Sequence, residues 1–265
     1  MNMYLHELKA YRKSTIIWTC CLVLIIILFF SLFPGISKDA TDFKKLLEGY
    51  PEALRKAIGL SFDTFFTLLG FYSYLFSYVL LCGSIQAMNL GTSIISKEVR
   101  AKTADFLLTK PVTRSSIITA KLLAVVTSLV ITNVVYLTFA MLMANAVKTE
   151  AFSSKVLIMI SITLFFVQLI FMTIGVIISV VFPKIKTVLP ISLGTVFGFF
   201  MIGMLSSTTE SNASRFFIPF KYYDTAYIIK NSSYEVPYIT VEIIFVIVVI
   251  FASYLIYAKK DIHSV

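Results

Sequence analysis

Six blocks of nearly unbroken apolar residues dominate the chain, at about residues 15–33, 65–90, 118–144, 156–182, 188–207 and 238–258. A helix of about 20 residues crosses a hydrocarbon layer of roughly 30 Å, and each block reaches that length. In lipid every backbone N–H and C=O must find an internal partner, so blocks of this kind predict α-helices. None alternates with the period of two that a membrane barrel requires. The predicted fold is all-α, a single polytopic membrane domain over residues 1–265 with six transmembrane helices. The first block follows Lys9, Arg12 and Lys13, as a signal peptide would. Its apolar run is too long for that, and it ends at Phe33-Pro34-Gly35 with no small-x-small cleavage site, so it reads as an uncleaved anchor.

The polar intervals carry their own patterns. In residues 1–14, Met3, Leu5 and Leu8 alternate with His6, Lys9, Arg12 and Lys13. Such a segment can lie along the membrane face before turning into the first span, the alternative being a solvated leader. Residues 34–64 hold two helix signatures. Asp39 or Thr41 can cap a turn that Gly49 ends, and Pro51 can open a second that Gly59 ends. This interval is either an external gate or ledge, or a loop helix packed on the span tops. Residues 91–117 offer Ser93 or Ser96 as a cap, a Glu98–Lys102 pair in the favoured i,i+4 order, and Pro111 as a stop. Ile94, Ile95, Val99, Phe106, Leu107 and Leu108 leave a broken apolar stripe beside a basic face, with Arg114 and Lys121 as anchors of the next span at the headgroups. The element can receive force from another protein, or it is a solvated loop whose charge only sets topology.

Composition agrees with the pattern: 58% hydrophobic, 14% charged, mean hydropathy +0.89. A soluble domain is nearer a quarter charged. The formal charge of +9 is therefore tested against orientation before nucleic acid is considered as a partner. With the N-terminus inside, the inside segments hold thirteen Lys and Arg against four acids, and the outside segments ten against nine. That bias places both termini in the cytoplasm.

Chemistry is sparse. Glu242 is the only acid within a predicted span, near its outer end. Gln86, Asn89, Asn133 and Gln168 read as hydrogen-bond partners between helices. Gly194 and Gly198, four apart, make a small-xxx-small face for close helix packing within the chain or across a dimer. Cys20, Cys21 and Cys82 lie in apolar runs and read as small buried hydrophobes. His6 and His263 lie near opposite ends, so no metal or zinc motif forms. There is no GxSxG and no GxxxxGK[ST], so the chain is expected not to be an enzyme and to bind no cofactor itself. Transport would need energy from a partner.

The run Ser96-Lys97-Glu98-Val99-Arg100-Ala101-Lys102-Thr103, then Phe106-Leu107-Leu108-Thr109-Lys110-Pro111-Val112-Thr113-Arg114, followed by Lys121, resembles permease subunits of bacterial ABC exporters of the second exporter class. Members include bacitracin-resistance, sodium-efflux and peptide-immunity exporters. Tyr50-Pro51-Glu52-Ala53-Leu54 with Gly59, Ile218-Pro219-Phe220-Lys221-Tyr222-Tyr223 and Lys259-Lys260-Asp261-Ile262 are similar to other parts of that family. The resemblance implies a six-span half-transporter in the bacterial cell membrane. It would pair with a second permease copy or a related permease, and with cytoplasmic ABC ATPase subunits that bind ATP and Mg. Residues 1–14 would be an amphipathic elbow helix. Residues 91–117 would be the coupling segment, with Glu98, Arg100, Lys102, Thr103, Phe106, Leu107, Leu108, Pro111 and Arg114 as its contacts. The outside segments, about 31, 11 and 30 residues, are too short for a large extracellular domain. The competing class is a non-transporting membrane scaffold or a peptide-sequestering immunity protein.

Overall fold

A computed structural model describes residues 3–38, 49, 65–100, 113–182, 185–206 and 215–259, with the side chains of 98–100 excepted. The helices among them are α1 (Met3–Lys38), α2 (Leu68–Arg100), α3 (Arg114–Val147), α4 (Ser154–Val181), α5 (Val188–Ser206), α6 (Thr225–Asn231) and α7 (Val236–Lys259). A 3₁₀ turn, Pro219–Lys221, precedes α6. Six of these helices, all but α6, are long and apolar enough to cross a membrane. Starts follow side-chain chemistry. Thr113, Ser153 and Asp224 each accept a bond from a backbone N–H of the first turn of α3, α4 and α6. Ser232, at φ 50°, ends α6 in the left-handed region.

The side-chain contacts fix the directions. Glu7 meets Lys121 and Thr19 meets Thr132, so α1 and α3 run in the same sense. Tyr72 meets Ser161 while Gly91 lies on Met172, so α2 and α4 run parallel to each other, and they run against α3 because Tyr72 meets Tyr136 while Ile94 meets Lys121. The first turns of α1 and α3 and the last turns of α2 and α7 therefore share one end of the bundle. Arg114 at the start of α3 donates to the Tyr257 carbonyl near the end of α7 at 3.5 Å, which ties two of them together.

α2 and α4 form the buried centre. They approach so closely that a Cβ at Gly91 would stand 2.2 Å from the Met172 carbonyl oxygen, and one at Gly175 2.7 Å from that of Met88. Only glycine allows two backbones this near. Around this centre, α1, α3, α5 and α7 turn large apolar side chains outward, among them Leu28, Val134, Met201, Ile247 and Phe251. Apolar surface on this scale fits lipid, not water.

The observed boundaries correct several expectations. The first span does not stop at Phe33; α1 continues through Pro34 to Lys38. Nor is there a break near Ser14, since residues 3–14 belong to the same 36-residue helix. Its length, about 54 Å at 1.5 Å per residue, exceeds the hydrocarbon thickness. Ser93 and Ser96 do not cap a new helix. Their hydroxyls donate back to the Leu90 and Thr92 carbonyls, and α2 runs on to Arg100. Cys20 and Cys21 are exposed on α1 rather than buried, and Cys82 is intermediate. The helix signatures of residues 39–48 and 50–64 lie outside the described residues.

Candidate functional site

A polar column threads the apolar interior. On α3, Thr132 exchanges a hydrogen bond with Thr19 of α1 at 3.0 Å and accepts one from the Gln86 amide of α2 at 2.9 Å. The Gln168 amide of α4 donates to Gln86 Oε1 at 3.3 Å and to the Gly83 carbonyl at 3.2 Å. Asn133 Nδ2 in turn donates to Gln168 Oε1 at 2.6 Å. A second cluster joins Tyr72 of α2 to Tyr136 of α3 at 2.9 Å and to Ser161 of α4 at 2.7 Å. Of Gln86, Asn89, Asn133 and Gln168, expected to bond between helices, Gln86, Asn133 and Gln168 do so, and the bonds among the described residues do not include Asn89. Because the bonds cross four helices, a shift of any one helix by a turn breaks at least one of them. The column is built of amides and hydroxyls whose bonds join one helix to the next. Gln168→Leu is expected to lower the thermal midpoint in detergent. It strips Asn133 of an acceptor and Gly83 of a donor, at a cost of about 1–2 kcal/mol.

At the end shared by the first turns of α1 and α3, Lys121 is 1% exposed. Its ammonium donates to Glu7 Oε1 at 3.2 Å and to the Ile94 carbonyl of α2 at 3.0 Å. The expected headgroup anchor is therefore a buried ion pair, because the lysine stem points into the junction of α1, α2 and α3 and not toward the rim. Next to it, the Lys97 ammonium lies 5.2 Å from the centroid of the Tyr11 ring. Glu7 was missed in the sequence because an isolated acid in a basic leader carries no mark of its partner 114 residues away.

The opposite end is rich in tyrosine. Glu242, read from the sequence as lying near the outer end of its span, is 4% exposed and accepts a bond from the Tyr223 hydroxyl. Burial, then this carboxylate, holds the Tyr223 phenol far above its ordinary range. Tyr222 donates to the Phe216 carbonyl at 2.7 Å, and Tyr234 to that of Met159 at 2.8 Å. Arg215 pairs with Glu235, donates to the Lys221 carbonyl at 3.1 Å and covers the Tyr238 ring at 4.2 Å. Burial pulls the Lys221 ammonium below its usual value. These bonds strap the segment before α6 onto α4 and α7.

Depressions open on the bundle between the described residues. One of about 200 Å³ lies between α3 and α4, with Asn133 and Ser161 among Val130, Val134, Leu137, Ile162 and Phe165. Another, about 650 Å³, is lined by the hydroxyl-bearing Tyr4, Thr113, Ser115, Ser116, Thr119 and Thr127 together with Ala120 and Leu123. Among the described residues no three His, Cys, Asp or Glu are grouped to hold a metal.

Of the residues singled out for coupling, Glu98 and Arg100 lie in the last turn of α2, with side chains outside the description. Lys102, Thr103, Phe106, Leu107, Leu108 and Pro111 fall outside the described residues. Arg114 opens α3, as above. A Cβ at Gly194 or at Gly198 would meet nothing within 4 Å, so neither packs against a described helix of its own chain. The close approach falls instead at Gly91 and Gly175.

No curated protein matches the chain. Residues 1–262 match the family model described as ABC-2 family transporter protein, which spans all six apolar helices. The chain therefore belongs to the ABC-2 transporter family and is a multi-pass permease component of an ABC transporter.

Proposed function

We propose that the chain is the permease subunit of an ATP-driven exporter, forming the translocation path and driven by a separate cytoplasmic ATPase. What carries the reading is one conjunction. Nearly the whole chain is an ABC-2 membrane domain, yet its sequence contains no phosphate-binding loop. The energy source is then a partner that binds ATP and Mg. Both termini lie in the cytoplasm of a bacterial cell on this reading, and residues 91–117 face the ATPase. A second permease covers the open α5 face that carries Gly194 and Gly198. Replacing both glycines with Leu then weakens assembly.

The cargo is amphipathic or apolar, since the interior offers mild hydrogen-bonding groups and almost no charge. A deletion strain should be more sensitive to such compounds in a growth panel, and the chain should restore growth only with its ATPase. Restoration without any ATPase would favour sequestration over export.

Docking energy concentrates in a few buried anchors. Phe106→Ala should therefore release the ATPase or uncouple its hydrolysis at normal membrane levels, at a cost of about 2 kcal/mol or more. Lys102→Ala, an exposed-charge change, should cost roughly 0–1 kcal/mol. Silent Phe106→Ala beside defective Lys102→Ala would contradict docking through the apolar stripe.

A further inference from the structure

We infer that Lys121 and Glu7 are positioning residues that carry movement of the docking segment into α1, an inference that rests on the proposed ATPase coupling. Lys121 and Ile94 stand on either side of that segment, one after it and one before. The 3.0 Å bond between them therefore ties α2 to α3 at the helix ends that flank it. A displacement that reaches either of these helix ends must therefore move α2 and α3 together. Glu7 adds α1 to the same ammonium, at 3.2 Å.

The chemistry argues against a bond kept only for stability. A buried ion pair repays its desolvation only when the remaining lone pairs are also satisfied. Here Glu7 Oε2 is buried with no hydrogen-bond partner among the described residues. Two apolar side chains would hold the three helices at least as well. What they would lack is direction: a charged donor reaching one named carbonyl and one named carboxylate fixes register.

The test uses the tagged full chain and whatever ATPase it retains, with Cys20, Cys21 and Cys82 replaced by Ser. A reporter thiol goes at Phe217→Cys. That position is 80% exposed, and its neighbour Phe216 packs on Tyr238 at the far end of the bundle. The labelling rate with an impermeant maleimide is read without nucleotide and after trapping with ATP and orthovanadate. In the otherwise wild-type chain, trapping should change the rate. Single substitutions strand a buried charge and threaten folding, so the informative variant is Glu7→Leu with Lys121→Met. It should keep its thermal midpoint and its ATPase but lose the nucleotide-dependent change. A merely structural pair would move the midpoint and leave the response. A double variant that responds like the parent, fails to fold or sheds the ATPase would overturn the proposal, as would a parent complex whose labelling ignores nucleotide. A parent chain that retains no ATPase would instead defeat the permease reading itself.

Discussion

Gly91→Ala should nearly abolish accumulation of the folded protein, whereas Gly198→Ala should leave it unchanged. One methyl group at position 91 would sit 2.2 Å from the Met172 carbonyl oxygen and 3.0 Å from its carbon, both backbone atoms that no rotamer can move. Relief requires α2 and α4 to separate, which pulls apart Gln168 and Gly83 on the same interface. Overpacking costs about 1–3 kcal/mol in ordinary cores, and a rigid backbone clash belongs at or above the top of that range. Gly175→Ala meets the Met88 oxygen and the Thr92 nitrogen at 2.7 Å and should behave the same way. At Gly83 the nearest atom is the end of the Leu164 side chain, at 2.5 Å, which can rotate, so Gly83→Ala should be milder. Detergent-solubilised thermal midpoints and membrane levels read all four. Equal midpoints for the variants at 91 and 198 would contradict the close packing of α2 on α4.

Lys121→Met should cost about 3–5 kcal/mol, because it leaves the Glu7 carboxylate buried and unpaired. Glu7→Leu should cost a similar amount by stranding the ammonium. Combining the two should recover most of the loss, since replacing both members of a buried pair with apolar residues is often neutral or stabilising. The signature is strong non-additivity in a double-mutant cycle. Simple addition would mean that the two side chains do not share one junction.

These two cases also mark how far the sequence could be read. The six spans were legible because hydrocarbon thickness imposes a minimum apolar length, which composition reports directly. Their partners were not. Small-xxx-small spacing marks where a helix can be approached, and Gly83-Ala87-Gly91 and Gly175-Ser179 satisfy it as Gly194 with Gly198 does, so spacing alone does not say which face is used. Yet it is Gly91 and Gly175 that meet, on two different helices, and only the fold brings them together. Ser93 and Ser96 illustrate a second limit. A serine near a span end serves equally as a cap or as a donor to its own preceding turn, and here the second use lengthens α2 to Arg100. Gln86, Asn133 and Gln168 could be assigned because an amide in lipid must find a polar partner. Thr19 joined that column unannounced, and Tyr72 and Tyr136 built a second cluster, because a hydroxyl can also satisfy itself on its own helix. The short helix α6 was legible in principle, since Asp224 stands at its cap.

The most direct measurement is ATP hydrolysis by material purified through a tag on this chain from its native membranes. A separate ATPase as motor predicts that an ATP-binding subunit elutes with the chain. Hydrolysis should follow the tag, and at equal membrane levels Phe106→Ala should either remove both or leave a hydrolysis that no longer responds to cargo. A folded chain that elutes alone, without ATP-hydrolysing activity, would contradict the account.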